Sequence, residues 1–185
     1  MATRSLPRPA GNGPSLWLWL GLALIVVLLD QFAKALIVGD FRLGESRSVT
    51  SFFDVVRAEN TGMAWSLLHD AGGWQRWFFI VLALTASGFM IWLLARNHSQ
   101  KLFSFALAMV MGGAVGNVID RIRFGAVADF IDVSRLYFPW VFNVADSAIS
   151  VGICLLLIDM LRQDGRERAA QNAKKETAGV PGDAA

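Results

Sequence analysis

At 185 residues, with 55% from the hydrophobic set, 17% charged and a mean hydropathy of +0.47, the chain is too apolar for an ordinary water-soluble domain. The single Cys154 excludes an internal disulfide scaffold, and a net charge of only +2, with the basic excess in the tails, excludes a nucleic-acid stripe. An aromatic content of 11% excludes disorder for most of the length, so the excess apolar surface asks for lipid.

A membrane-spanning helix needs about 20 mostly apolar residues, because the hydrocarbon core is roughly 30 Å thick. Four windows qualify, at about residues 16–38, 74–94, 102–119 and 141–161. A cleavable signal peptide is the rival reading of the first, with Arg4 and Arg8 ahead of an apolar run. That run is followed by Asp30 and Lys34 instead of a small-residue cleavage site, so it reads as a retained span. Orientation follows from Lys and Arg in the flanks: nine fall in the tails and the turn between spans two and three, against six (Arg42, Arg47, Arg57, Arg121, Arg123, Arg135) on the other side. Both termini are expected in the cytoplasm.

Between spans one and two, the stretch from Ser46 to Arg57 is β-branched and aromatic, which predicts a small sheet on the outer membrane surface within residues 39–73. Residues 1–14 and 164–185 are rich in Gly, Pro, Ala and charge without apolar period, and read as disordered tails flanking a single domain over 15–163. Trp17, Trp19, Trp74, Trp77, Trp92 and Trp140 fall near span ends, as interfacial anchors do.

The residues that break the spans carry the functional information. Counted from the inner ends at 1.5 Å per residue, Asp30, Asn117 and Asp146 lie roughly 21–22 Å up, in one layer of the outer third. Such groups are costly in lipid and normally face one another or a wet cleft, so one shared polar site is the economical reading. Asp30 and Lys34 share a helix face at i and i+4; so do Asn117, Asp120 and Arg121, next to the small residues Gly112, Gly113 and Gly116, whose role reads as close helix packing. Asn143, Asp146, Ser147 and Ser150 form a polar face on span four. His69 and His98 fall on opposite sides of the membrane, Cys154 has no nearby base, and no metal or cofactor is expected.

Carboxylates remain. Two of them in a membrane-bounded cleft can share one proton, the ionised member activating water while the protonated one polarises a peptide carbonyl. By spacing alone Asp120, Asp129, Asp132 and Asp146 are equal candidates, some of which are expected to cap helices or to pair with Arg121, Arg123 or Arg135. The competing class is a small transporter or proton relay, which needs acids graded towards the inner face; only Asp159 lies there.

The blocks DQFAK (30–34), ENTGMAWS (59–66), GGAVGNVIDR (112–121), VADFID (127–132) and FNVADSAI (142–149), in this order, resemble the lipoprotein signal peptidases, the type II signal peptidases of bacteria. The resemblance implies an α-helical integral membrane protein with four transmembrane helices and a small extracytoplasmic β-sheet, the β-cradle, between helices 1 and 2. It implies an inner-membrane aspartic endopeptidase acting near the periplasmic surface, which cuts prolipoproteins just before a diacylglyceryl-modified Cys. Its partners would be lipid-modified prolipoproteins and membrane lipids, with no nucleic acid, and a monomer would suffice. Matched block by block, the catalytic pair becomes Asp129 and Asp146, the supporting residues Asp30, Lys34, Asn60, Asn117, Arg121 and Asn143, and Asp120 becomes structural. The chain departs from the family pattern at Trp65, usually Phe, and in YFPWVFN, one residue longer than the usual run before Asn143.

Overall fold

The computed structural model describes residues 14–62, 73–136 and 140–178, with side chains as far as Asn172, so Trp65, His69 and residues 137–139 lie outside it. Four long helices and a four-stranded antiparallel sheet alternate along the chain: α1 (Leu16–Asp40), β1 (Ser46–Ser48), β2 (Asp54–Asn60), α2 (Trp74–Asn97), α3 (Lys101–Phe124), β3 (Val127–Asp132), a 3₁₀ turn (Ser134–Leu136), β4 (Val141–Phe142) and α4 (Val144–Ala178). All four helices are long and apolar enough to cross a membrane. Their outward faces carry Leu24, Leu28, Val81, Leu82, Leu157 and Leu161, all exposed, as a lipid-facing wall requires.

In α3, 56% of the apolar window is buried, against 17–22% in the others, so α3 is the central post. Its small residues are the reason. A Cβ on Gly112 would lie 2.7 Å from the Ala23 carbonyl oxygen of α1, one on Gly113 would collide with the Ala145 carbonyl of α4, and one on Gly116 would lie 2.7 Å from an Asp30 carboxylate oxygen. Gly152 answers from α4, where a Cβ would come within 2.8 Å of the Ala106 carbonyl. Close backbone approach of this kind drives helix association in lipid. At the end of the bundle away from the sheet, Trp19, Ala23, Met90, Leu94, Leu107, Ala108 and Met111 form the apolar core. Trp19 is therefore core and not an interfacial anchor; its indole donates to the His98 carbonyl at 2.9 Å, a bond available only to a ring turned inwards.

Towards the end that carries the sheet, α1, α3 and α4 meet on an ion-paired hub. Lys34 Nζ lies 2.8 Å from Asp30 and 2.8 Å from Asp120, all three side chains being at most 5% exposed. The other Asp30 oxygen accepts the Ala145 N–H in the first turn of α4 at 2.9 Å.

The sheet is wider than the sequence suggests. Its order is β1-β2-β3-β4, and half of its strands come from between α3 and α4 instead of from residues 39–73. β3 escapes notice because its first four residues are all buried, which removes the in/out alternation of a half-exposed strand. Gly125, at φ +82°, ends α3 and lets the chain turn directly into β3. In β2, Val56 and Arg57 together oppose Phe130, a bulge between the pairs Val55–Ile131 and Ala58–Asp129. Arg57 uses the kink to donate to the carbonyls of Val38 and Phe41, at 3.1 and 2.9 Å, and so fastens the sheet to the C-terminal end of α1.

Two boundaries are corrected. The fourth span begins at Val144, not 141, because Val141–Phe142 pairs with β3 and Asn143 caps the helix. The tail from 164 is helical as far as Ala178: its Ala, Arg, Gln, Lys and Glu are good helix formers, and Asp164–Arg168 pairs at i and i+4.

Two outcomes test this account. Gly113→Val drives a side chain into the α4 backbone and is expected to lower stability by about 1–3 kcal/mol, whereas Gly88→Ala, facing open space on α2, leaves it equal or slightly raised. Thermal unfolding in detergent checks both. Lys34→Met strands two buried carboxylates and should cost about 3–5 kcal/mol, seen as loss of folded yield; a melting temperature unchanged from that of the parent chain would remove the hub from the account.

Candidate active site

Every site residue expected from the sequence lies in the described region, and all eight join one network of hydrogen bonds and ion pairs, Arg121 through the Asn117 carbonyl at 3.5 Å. Asp129 sits on β3, 3% exposed, and Asp146 sits in the first turn of α4. Asn143 links them. Its side-chain N–H donates to Asp129 Oδ1 at 2.7 Å, and its backbone N–H donates to Asp146 Oδ2 at 3.3 Å. Its own Oδ1 accepts the Asp146 N–H at 2.9 Å. The exchange between Asn143 and Asp146 is a capping box, in which the N-cap side chain and the acid three residues on satisfy each other's backbone donors. The same few atoms that start α4 thus bring the strand carboxylate and the helix carboxylate to one amide.

Two further amides complete the setting. Asn117 donates to Asp146 Oδ1 at 2.7 Å, while its oxygen accepts Lys34 Nζ at 2.9 Å. Asn60, at the end of β2, donates to Asp129 Oδ2 at 3.1 Å, and its oxygen accepts the Gly62 N–H at 3.0 Å, which fixes the amide's direction. Arg121 stands at the margin. Its guanidinium donates to the Gly62 carbonyl at 3.2 Å and lies over the Phe79 ring, 5.0 Å from its centroid.

The four carboxylates that spacing left equal are separated by their surroundings. Asp120 is taken up by Lys34 and by the Ala128 N–H at 3.2 Å. Asp132 accepts the Ser134 N–H at 2.8 Å and opens the 3₁₀ turn. Asp129 and Asp146 alone among the four share Asn143. Burial first, and the neighbouring Asp146 carboxylate second, push Asp129 up from the ordinary carboxylate range to about 7, against the opposing donors Asn60 and Asn143. Near neutral pH Asp129 is therefore within reach of its protonated form beside a second carboxylate, the arrangement that acid–base hydrolysis requires. Of the other groups, Ser147 donates its hydroxyl to the Asn143 carbonyl at 2.9 Å, Cys154 is exposed on α4, and His98 contacts the Pro14 carbonyl at the end of the bundle away from the sheet.

The sequence reading missed Gln31, whose amide donates to Asp120 Oδ1 at 2.8 Å. It also missed the capping box, although Asn-x-x-Asp ahead of an apolar run is its signature.

The sequence profile of the family described as Signal peptidase (SPase) II matches residues 22–162. The lipoprotein signal peptidase of Cupriavidus taiwanensis is 55% identical over 158 residues, covering 84% of this chain and 89% of the relative. That of Ralstonia nicotianae is 52% identical over 155 residues, covering 83% and 90%. A bacterial membrane enzyme solved by the in meso method at 2.3 Å superposes with a TM-score of 0.77 at 27% identity, over 85% of this chain and 96% of that one. A profile that spans all four helices and the sheet, and relatives identical at half of their positions, leave one assignment: the chain belongs to the signal peptidase II family and is a multi-pass membrane protease.

Proposed function

We propose that this protein removes the signal peptide from diacylglyceryl-modified prolipoproteins, cutting before the lipidated Cys, with Asp129 and Asp146 as an aspartic dyad. The observation that carries the dyad is the shared Asn143, which holds both carboxylates while burial keeps a proton on Asp129. Asp146, ionised, takes a proton from a water molecule as that water attacks the scissile carbonyl. Asp129 donates its proton to the developing oxyanion; as the C–N bond breaks, the amine receives the proton held by Asp146 and the gem-diol hydroxyl returns its proton to Asp129. Amide donors from Asn117 and Asn143 hold the Asp146 anion in line, and Asn60 holds Asp129.

The substrate keeps its signal helix and lipid chains in the bilayer, so its scissile bond lies at the outer membrane boundary. The dyad lies where β3 meets the first turn of α4, the end of the bundle that carries the sheet. The bias of Lys and Arg towards the tails supports cytoplasmic termini, a site facing the periplasm and residence in the bacterial inner membrane. One chain supplies both carboxylates, and a monomer suffices.

Asp129→Asn and Asp146→Asn should each lower cleavage of a lipidated precursor peptide by at least about 10²–10⁴-fold while membrane insertion persists. An unlipidated peptide should be cut poorly by the parent chain. Turnover close to that of the parent in either variant, followed by mass spectrometry of the products, would remove that carboxylate from the chemistry. Because the pKa of Asp129 is raised to about 7, it stays protonated at pH 6 and loses its proton as pH climbs past 7. The cleavage rate should therefore fall on the alkaline side of 7; a rate still rising at about pH 9 would contradict the acid role of Asp129.

A further inference from the structure

Asp120 makes no contact with either proposed catalytic carboxylate, yet it controls the approach to both. One of its oxygens, Oδ2, accepts the Ala128 N–H at 3.2 Å, and Ala128 is the β3 residue immediately before Asp129. The same oxygen lies 2.8 Å from Lys34 Nζ, and Lys34 donates onward to Asn117, whose amide holds Asp146 at 2.7 Å. Asp120 is thus the junction of two arms. One arm fixes the strand that carries Asp129, and the other fixes the amide that holds Asp146.

What orients the junction is its remaining oxygen. Oδ1 accepts Gln31 Nε2 at 2.8 Å, and the same amide nitrogen lies 3.2 Å from the Gly116 carbonyl and 3.2 Å from Asp30 Oδ2. Gln31 follows Asp30 on α1 and is half-buried, so it reaches across to α3 beside the hub without belonging to its apolar packing. A carboxylate held at one oxygen only can rotate about its Cβ–Cγ bond; held at both, it cannot without losing a charge-assisted bond.

We propose that Gln31 is a positioning residue for the peptidase reaction: by fixing the plane of the Asp120 carboxylate it sets the Asp129 strand and the Lys34–Asn117–Asp146 arm in register with each other. The proposal rests on the dyad reading above. It distinguishes Gln31 from Lys34 and Asp30, whose loss breaks the buried ion pair itself. Removing the Gln31 donor leaves that pair in place and loosens only its alignment.

The experiment uses the full chain in lipid nanodiscs with a lipidated precursor peptide, and compares Gln31→Leu and Gln31→Met, which lack the donor, with Gln31→Lys, which retains one of similar reach. Per folded molecule, the first two should lose about 5- to 20-fold in kcat with KM within about twofold of the parent, since small misplacements of reacting groups act on the chemical step. Gln31→Lys should recover most of the lost kcat, and all three should melt within a few degrees of the parent chain. A Gln31→Leu variant with parental kcat overturns the proposal. So does a loss that merely follows the folded fraction, or a Gln31→Lys variant no better than Gln31→Leu. Asp129→Asn, run alongside, separates the two readings: if it cleaves normally the dyad itself is wrong, whereas silence at Gln31 with a dead Asp129→Asn removes Gln31 alone.

Discussion

The structure depends on one ammonium group placed where lipid would otherwise be. Lys34 Nζ, between Asp30 and Asp120 and with Asn117 as a third partner, has every one of its donors used inside the protein. An isolated charge at that depth is expelled or neutralised; a lysine wedged between two carboxylates and an amide oxygen stays. Because Asp30 comes from α1, Asp120 and Asn117 from α3, and the second Asp30 oxygen grips the start of α4, the bundle cannot satisfy this charge without bringing three helices to one point. Gly116 makes the point reachable, since any side chain there would meet the Asp30 carboxylate. Small residues and a buried charge are thus two halves of one device: the glycines permit approach, and the ion pair specifies where the approach ends.

How much of this was legible in the sequence depends on whether the information was local. Asp30 and Lys34 are one helical turn apart, and their pairing follows from periodicity. The common depth of Asp30, Asn117 and Asp146 follows from counting residues along three helices, and the network confirms that these three are brought together. Asp120 was a different case. Spacing alone left it equal to Asp129, because what takes it out of the cleft is a lysine from another helix, a contact that no local pattern encodes. The start of α4 was misplaced by three residues for a related reason: Val141 and Phe142 are apolar enough to prolong the span, and only their pairing with β3 makes them a strand. β3 itself was hidden by burial on both faces, and the helix beyond residue 164 by a composition that suits disorder and an exposed helix alike.

Sheet and bundle could in principle move independently, which would be fatal to a site shared between a strand and a helix. Three separate ties prevent it. Arg57, turned by the β2 bulge, holds the carbonyl end of α1; Asp120 holds the backbone of β3 one residue before Asp129; Asn143 joins β4 to α4 while touching both carboxylates. Two of the ties reach the strand that carries Asp129, and the third fastens its neighbour β2 to α1. A β-sheet resting on a membrane protein is thereby made part of its rigid frame.

The chemistry of these ties is as telling as their placement. Every group that touches the two proposed catalytic carboxylates through a hydrogen bond in the described region is an amide, from Asn60, Asn117, Asn143 or the backbone of Asn143. A cation in direct contact with both would favour loss of the proton that an aspartic dyad needs, whereas an amide fixes geometry without demanding ionisation. The necessary positive charge is kept one residue back: Lys34 makes no hydrogen bond to Asp146 but donates to Asn117, whose amide holds that carboxylate. Asp129 is placed to keep its proton near neutral pH, for burial and a neighbouring carboxylate raise it, while the Asn60 and Asn143 donors and, last in size, the charge of Lys34 oppose them. The charge that makes the fold possible and the proton that makes the chemistry possible are separated by two asparagines, Asn117 and Asn143.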